Sequence, residues 1–210
     1  MTTRVHLVRH GEVHNPGKVL YGRLPGYRLS EAGERMADMA AKSLAGRDVR
    51  LLLTSPLERA QQTAEPFATV LDLVPRVDDR LIESASHFEG RTVEGVRSFL
   101  TPSALRLVRN PFRPSWGEPY AEVAHRMLSV ATAARDEVEG HEAVLVTHQL
   151  PVYVLRRFVE GRRLFHDPRK RQCGLASVTT LTWEGPRLVA VSYTEPAYAL
   201  TAGKAATPGA

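Results

Sequence analysis

Short apolar runs alternate with segments of helical periodicity along most of the chain, and this alternation limits the fold more than any other feature. Apolar runs at 5–8, 49–53 and 143–146 are typical of short buried strands. Segments beginning near residues 31 and 120 carry apolar residues at helical spacing. Strands that alternate with helices indicate a mainly parallel central sheet flanked by helices on both faces. The sequence therefore predicts an α/β fold.

Two helix starts carry capping residues. Ser30 is predicted to cap the first helix, with an acidic residue following in the first turn. Ser55 and Glu58 have the spacing of a capping box, and Pro56 would take the first helical position between them. This predicted capping box places Arg59 in the first turn of the second helix, just beyond the end of a strand.

The middle and the end of the chain are harder to interpret. Residues 73–77 are a candidate third strand, and 177–182 with 188–193 are predicted to form a hairpin. Residues 84–116 show little periodicity, and a long irregular insertion in a compact domain is often a lid or a binding loop. We predict a single domain over 1–196 and a disordered tail over 197–210, which is rich in alanine, threonine, glycine and proline.

The charge and the cysteine content indicate which class of ligand and which cellular compartment fit the chain. The chain has 28 Lys and Arg against 23 Asp and Glu, a net charge of +5, but its basic residues form no long run. This balance suits a small anionic ligand and does not indicate nucleic-acid binding. Cys173 is the single cysteine, so no internal disulfide can form, and a cytoplasmic location is expected. No apolar run approaches the length of a membrane span.

Polar side chains follow three of the predicted strands at their carboxyl ends. Arg9 and His10 follow the first strand, Arg59 follows the second, and His148 follows the strand at 143–146. The carboxyl ends of parallel strands meet at one edge of a sheet, where ligands bind in open α/β folds. A neutral imidazole can act as a nucleophile, and a guanidinium holds an oxyanion bidentately. These four side chains therefore predict a site that binds a phosphate group and also catalyses its reaction.

The motifs, taken in order, resemble those of the histidine phosphatase superfamily, whose members have the phosphoglycerate-mutase-like fold. The family signature R-H-G-E matches residues 9–12, and its strand-to-helix motif S-S-P-x-x-R-A-x-x-T-A matches 54–64 with threonine in the first position. Its helix start L-S-x-x-G matches 29–33, and its G-E before a long helix matches 117–118. Its second histidine matches His148. The resemblance extends from residue 4 to about residue 193.

The resemblance implies a role for each matched residue. His10 would attack phosphorus and carry the phosphoryl group, and Glu83, at the family's carboxylate position, would act as general acid and base. Arg9, Arg59 and His148 would bind the phosphoryl oxygens and stabilise the transition state. The implied enzyme is a metal-independent phosphomonoesterase of the histidine acid phosphatase type, without a cofactor. Its expected partners are a small phosphorylated substrate and, at most, a second copy of the chain in a homodimer.

Three positions differ from the family pattern, and they concern substrate selection more than the core chemistry. Gln149 replaces the usual glycine after the second histidine, although its backbone N–H can still meet phosphate. Val13 replaces a usual threonine, and Asn15 lies one residue nearer to His10 than the family's asparagine. Arg23 matches a loop of the family that often touches substrate, although it could equally be an ordinary loop arginine. The resemblance thus makes Asn15, Arg23 and Gln149 candidate substrate-binding residues.

The residues near Glu83 leave its role open. Glu83 could also be a solvated surface carboxylate, since the family's spacing to a Glu-Gly pair is one residue shorter here and ends at Glu89. His14 and His87 are interpreted as solvated, and Glu118 as mainly structural.

Other functions also stay open. A phosphoglycerate-mutase-type phosphotransferase uses the same groups but shields the phosphohistidine from water, and its middle insertion tends to be longer. A metal hydrolase could use His10 and His14, which are four residues apart as in a helical ligand pair, although Gly11 argues against a helix there. A non-catalytic phospholigand-binding module would be compatible with the changes at Val13 and Gln149.

Overall fold

The computed structural model describes residues 1–92 and 117–201, which form a six-stranded sheet with helices on both faces. The strands are β1 (Thr2–Arg9), β2 (Val49–Thr54), β3 (Arg76–Val77), β4 (Glu142–Thr147), β5 (Val178–Glu184) and β6 (Arg187–Thr194). Their order across the sheet is β3-β2-β4-β1-β5-β6. The first four strands are parallel, and β5 is antiparallel to both its neighbours. The predicted fold class and the predicted hairpin are confirmed.

The helices in the described residues pack on this sheet. They are α1 (Glu31–Ser43), α2 (Glu58–Leu71), α3 (Tyr120–Glu137), α4 (Gln149–Val159) and the short α5 (Tyr198–Thr201), with 3₁₀ turns at Asp79–Leu81 and Pro168–Lys170. The cap predicted at Ser30 is confirmed, because its hydroxyl accepts a hydrogen bond from the Gly33 N–H at 3.1 Å. None of the helices in the described part of the chain has the length and apolar composition needed to cross a bilayer.

Neighbouring residues of the central strands point to opposite faces, and this builds one apolar core on each side of the sheet. Leu7 of β1 belongs to a cluster with Met127 of α3 and Leu155 of α4. Val8, the next residue, belongs to a second cluster with Phe67 of α2. All six residues of β4 are buried, because this strand lies in the middle of a sheet that is covered on both faces.

The capping box predicted at Ser55 and Glu58 is wrong. Helix α2 begins at Glu58, after Leu57, and has no side-chain cap. The Glu58 carboxylate instead accepts a hydrogen bond from the Gly26 N–H at 2.8 Å. The Ser55 hydroxyl is buried and lies 2.7 Å from Nε2 of His148. This hydroxyl therefore contacts a site residue rather than capping a helix.

Two predicted boundaries also change. β3 is shorter than the predicted run at 73–77, because Asp72 ends α2 in a left-handed conformation and the Leu73 N–H donates back to Ala68. The predicted tail begins at residue 197, but Ala197 is buried in the core and α5 follows it, so the described fold includes the first residues of that tail. Residues 93–116 of the predicted insertion and 202–210 of the tail lie outside the described residues.

Candidate active site

The carboxyl ends of β1, β2 and β4 lie side by side, since β4 pairs in parallel with both other strands. The pairing continues one residue beyond the strands. The His10 N–H donates to the Thr147 carbonyl at 3.0 Å, and the Ser55 N–H donates to the Val146 carbonyl at 2.9 Å. These bonds place the residues that follow the three strands next to one another. The rings of His10 and His148 lie 5.2 Å apart between centroids.

Two glycines hold the loop after β1 against the start of α1. A Cβ at Gly11 would lie 2.4 Å from the Gly33 carbonyl oxygen, and a Cβ at Gly33 would lie 2.0 Å from the Glu12 carbonyl oxygen. The Ser30 hydroxyl donates to the Glu12 carboxylate at 2.8 Å. The R-H-G-E and L-S-x-x-G motifs therefore form one packed unit, which fixes the backbone that carries His10.

His10 is completely buried and is held in one tautomer. Its Nδ1 lies 2.8 Å from the Gly11 carbonyl oxygen, which can only accept, so Nδ1 carries the proton. Nε2 then bears a lone pair, and it has no hydrogen-bond partner among the described residues. Burial lowers the pKa of His10 well below its usual value, and the charges of Arg59 and Arg9 lower it further. The side chain is thus a neutral imidazole with a free nucleophilic nitrogen.

His148 is the second buried imidazole of the site. Its Nε2 meets the Ser55 hydroxyl, and its Nδ1 is buried without a partner in the described chain. Burial lowers the pKa of His148 well below its usual value, with further lowering by Arg59 and by His10. His148 can therefore contribute a neutral hydrogen-bonding group beside His10.

Arg9 and Arg59 are buried cations that form no ion pair with a carboxylate among the described residues. Arg9 donates from Nη1 to the Cys173 carbonyl at 2.7 Å, and Arg59 donates from Nη2 to the Gly22 carbonyl at 2.6 Å. The Arg59 guanidinium also lies 4.7 Å from the centre of the Tyr21 ring. The Nε atoms of both arginines are buried and lack a partner. Buried charges are normally paired, so these two guanidinium groups are suited to bind an anion.

Glu83 is only 2% exposed, so the alternative that it is a solvated surface carboxylate is wrong. Its Oε1 accepts from the Ser84 N–H at 2.7 Å, and its Oε2 has no partner in the described residues. Burial raises the pKa of Glu83, against the opposing effects of the Ser84 N–H, Arg59 and two further arginines. The segment is tied to the sheet because the Thr147 hydroxyl donates to the Leu81 carbonyl at 2.6 Å. A carboxyl group with a raised pKa is suited to donate a proton.

Arg23 and Asn15, two of the candidate substrate-binding residues, both bind other parts of the protein. Arg23 donates from Nε to the backbone carbonyl of Glu83 at 2.6 Å and from Nη2 to Glu118 at 2.9 Å, so it supports the segment that carries Glu83. The Asn15 amide bonds both the N–H and the carbonyl of Val19, at 3.0 and 2.8 Å. These contacts favour structural roles for Arg23 and Asn15.

Gln149, the third of these candidates, lies at the site edge. Its side-chain amide donates to the Cys173 carbonyl at 3.3 Å, the same oxygen that accepts from Arg9. His10 and His14 do not form a helical ligand pair, because the chain between them is not helical and His14 is exposed. Among the described residues, no group of three or more His, Cys, Asp or Glu side chains could hold a metal ion.

Sequence reasoning missed three contributors to the site. The spacing of Ser55 predicts a helix cap, and its place in the matched family motif is the signal that could have identified it as a site residue. The Cys173 carbonyl and the side chain of Arg171 come from a loop between α4 and β5, where no motif or periodicity marks them. Arg171 nevertheless acts electrostatically on both Glu83 and Arg9.

The lowered histidine pKa values predict that the protein loses stability as the pH falls. His10 and His148 are neutral in the fold, and burial also lowers the pKa of His166, to about 4. In the unfolded chain a histidine titrates near pH 6.5, so below about that pH the unfolded state binds protons that the folded state does not. The free energy of unfolding should therefore decrease between pH 7.5 and 5.5, by at most about 1.4 kcal/mol per pH unit for each histidine. Urea unfolding at several pH values measures this.

A His10→Gln variant provides the control, because it removes one titrating imidazole from both states. Its stability should depend less steeply on pH than that of the wild type. Equal pH dependence of the two proteins would show that His10 is not held neutral.

Comparison with known proteins identifies the family of this chain. The family model described as histidine phosphatase superfamily (branch 1) matches residues 5–196. The Uncharacterized protein Rv0525 of Mycobacterium tuberculosis is 53% identical over 196 residues, which cover 93% of this chain and 97% of that protein. The probable phosphoglycerate mutase GpmB of Yersinia enterocolitica is 30% identical over 83% of this chain and 84% of its own length. The solved structure of the mycobacterial glucosyl-3-phosphoglycerate phosphatase Rv2419c has a TM-score of 0.73 and 28% identity, and the match covers 92% of this chain and 97% of that one. The chain belongs to the histidine phosphatase superfamily.

Proposed function

We propose that this protein is a phosphomonoester hydrolase that acts on a small phosphorylated metabolite through a phosphohistidine at His10. The observation that carries the proposal is a neutral, buried His10 whose Nε2 is free, beside two buried guanidinium groups that have no carboxylate partner. An oxyanion would supply the missing negative charge, and the imidazole nitrogen would supply the nucleophile. A named phosphatase among the similar structures supports the same chemistry.

In the first step the phosphoryl group binds to Arg9, Arg59 and His148, and the His10 Nε2 lone pair attacks phosphorus. The N–P bond forms while the bond from phosphorus to the leaving oxygen breaks. That oxygen takes the proton of Glu83 and departs as an alcohol. The fixed guanidinium groups stabilise the charge on the transferring group without reorganising.

In the second step water hydrolyses the phosphohistidine. The Glu83 carboxylate, now ionised, takes a proton from the water as its oxygen attacks phosphorus. The N–P bond breaks, the electron pair returns to His10, and inorganic phosphate is released. This chemistry needs no metal or cofactor, because the nucleophile, the cations and the acid all belong to the chain. The single cysteine, Cys173, supports a cytoplasmic setting for it.

The proposal is tested by rapid quench with a phosphate-labelled substrate. The wild-type protein should acquire label that is labile in acid and stable in base, as expected for phosphohistidine, and should then release inorganic phosphate. Mutase activity is the second candidate, because one relative is named as a probable phosphoglycerate mutase. A mutase would transfer the label from the histidine to a second organic acceptor instead of releasing it as inorganic phosphate. A non-catalytic binding module would acquire no label.

Replacing Arg59 by lysine should lower kcat/KM by about tenfold or more. The variant keeps the charge but loses the planar fork, and one charged hydrogen bond is worth about 1.5–3 kcal/mol. Steady-state kinetics with an aryl phosphate measure the effect. Arg28→Lys, which changes an exposed arginine in the same way, is the control and should leave kcat/KM unchanged. If both variants behaved like the wild type, Arg59 would not contact the phosphoryl group.

A further inference from the structure

A short turn after α4 directs Arg171 back towards the site. The Asp167 side chain caps this turn by accepting from the Arg169 N–H at 3.0 Å, and the Arg171 N–H donates to the Pro168 carbonyl at 3.4 Å. The Arg171 Nε then donates to Nε2 of His166 at 2.9 Å. Two residues further on, the Cys173 carbonyl accepts from Arg9. The same loop thus carries Arg171 and contacts the phosphate-binding group.

His166 is arranged to hold this arginine. Its Nδ1 lies 2.6 Å from the Leu164 carbonyl oxygen, so Nδ1 carries the proton and Nε2 is left to accept from Arg171. The rings of Tyr120 and Tyr153 lie 5.3 and 4.7 Å from the imidazole, between centroids. Packed between two tyrosine rings, His166 can hold the Arg171 side chain in one orientation.

Contacts through α3 connect Arg171 to the segment that carries Glu83. Tyr120 packs on His166, the partner of Arg171, and lies two residues after Glu118, which Arg23 links to the Glu83 carbonyl. Arg171 and Glu83 interact electrostatically, as do Arg171 and Arg9. Arg126 also acts on Glu83, but Glu118 binds its guanidinium through two hydrogen bonds, at 2.7 and 3.0 Å. Arg171 forms no ion pair with any carboxylate in the part of the chain that the structure describes, and its side-chain partners there are the imidazole of His166 and the hydroxyl of Tyr120, both uncharged. It is therefore a third guanidinium with donors to spare.

We propose that Arg171 is a specificity-determining residue that binds a carboxylate on the leaving-group part of the substrate. This rests on the proposed function, in which Glu83 protonates the leaving oxygen, because the leaving group then lies on the side of Glu83 and Arg171. His166 occupies Nε and Tyr120 takes one further donor, which still leaves an N–H on each Nη group, and this pair matches one carboxylate bidentately. A single guanidinium also balances the single charge of a carboxylate better than the larger charge of a second phosphate.

The proposal predicts a preference between substrates that differ only by a carboxylate. O-Phosphoserine and phosphoethanolamine form one such pair, and 3-phosphoglycerate and glycerol 1-phosphate form a second in which the carboxylate becomes a hydroxymethyl group. In at least one pair, wild-type kcat/KM should favour the carboxylate by about tenfold or more, the scale of a charged hydrogen bond. Arg171→Gln should remove that preference, because it should lower the kcat/KM of the carboxylate substrate about tenfold more than that of its partner without a carboxylate. Arg169→Gln is the control, because Arg169 is exposed and paired with Asp167.

A second measurement separates this inference from the proposed function. The phosphonates 2-amino-4-phosphonobutanoate and 3-aminopropylphosphonate reproduce the first pair and cannot be hydrolysed, so calorimetry measures the carboxylate contribution without turnover. The wild type should bind the first phosphonate about tenfold more tightly or better, Arg171→Gln should bind the two equally, and Arg171→Lys should keep part of the difference. The role of Arg171 would be overturned if the wild type showed no preference for the carboxylate compound in any of the three pairs. It would also be overturned if Arg171→Gln kept the full wild-type preference. Failure to turn over an aryl phosphate would overturn the proposed function alone.

Discussion

Replacing His10 by asparagine is expected to abolish phosphomonoester turnover, with a loss of at least about 10⁴-fold, the scale of removing a nucleophile. His10 is completely buried, so alanine at this position would also leave a cavity. The asparagine amide can still donate to the Gly11 carbonyl, as Nδ1 of the imidazole does at 2.8 Å, but it has no atom at the position of Nε2. The variant therefore removes the nucleophile while keeping the local hydrogen bond. Turnover of an aryl phosphate and trapping of labelled protein measure the loss.

His14→Asn is the matched control, because His14 is exposed and four residues away. Its activity should equal that of the wild type. If His10→Asn stayed folded and retained more than about 1% of the activity, His10 could not be the group that carries the phosphoryl. Loss of activity in both variants would instead favour a shared role for the two histidines.

Replacing Glu83 by glutamine should slow phosphohistidine formation by about 10²–10⁴-fold with an alkyl phosphate, the range of general acid catalysis, but much less with an aryl phosphate. An aryl phosphate leaves as a stable phenolate and hardly needs a proton, whereas a sugar alkoxide does. Single-turnover burst rates are required, because the later attack of water is common to both substrates. Since burial raises the pKa of Glu83, the acid form persists to higher pH than for an exposed glutamate. The alkyl reaction should then fall as the pH rises through that pKa, more strongly than the aryl reaction.

Glu89→Gln tests whether any nearby carboxylate would give the same result. Glu89 is half-buried and its Oε1 accepts from the Ser86 N–H at 3.1 Å, so both substrates should react at wild-type rates in this variant. Equal slowing of the two bursts by Glu83→Gln would remove Glu83 from the acid role, and Glu12, His87 and Glu89 would be the next candidates.

The sheet and the meeting of its strand ends could be predicted from sequence because both depend on local patterns. An apolar run such as 143–146 identifies a central strand, and the residue after it must lie at the carboxyl edge, which places His148 beside His10. The family motifs also identify Glu83 as a candidate site residue. These predictions depend only on periodicity and on short spacings along the chain.

Other features depend on contacts that no local pattern encodes. Ser55 has the spacing of a capping residue, but tertiary packing directs its hydroxyl to His148. The burial of Glu83 depends on a turn that Thr147 anchors from a distant strand. Arg171 reaches the site through a turn and a buried histidine, and neither leaves a recognisable motif. The choice between phosphatase and mutase from the middle insertion concerns mainly residues 93–116, outside the described residues.

In the proposed mechanism, the two buried guanidinium groups also determine how the resting enzyme responds to its own product. Inorganic phosphate offers Arg9 and Arg59 the same oxygens as the substrate, so it should compete with the substrate and slow turnover as it accumulates. The same binding should protect the fold against heat, because a ligand at 100 times its Kd adds about 2.7 kcal/mol to the free energy of unfolding. In a cell rich in phosphate, part of the enzyme would then be occupied between turnovers. Its effective activity would follow the ratio of substrate to free phosphate rather than the substrate concentration alone.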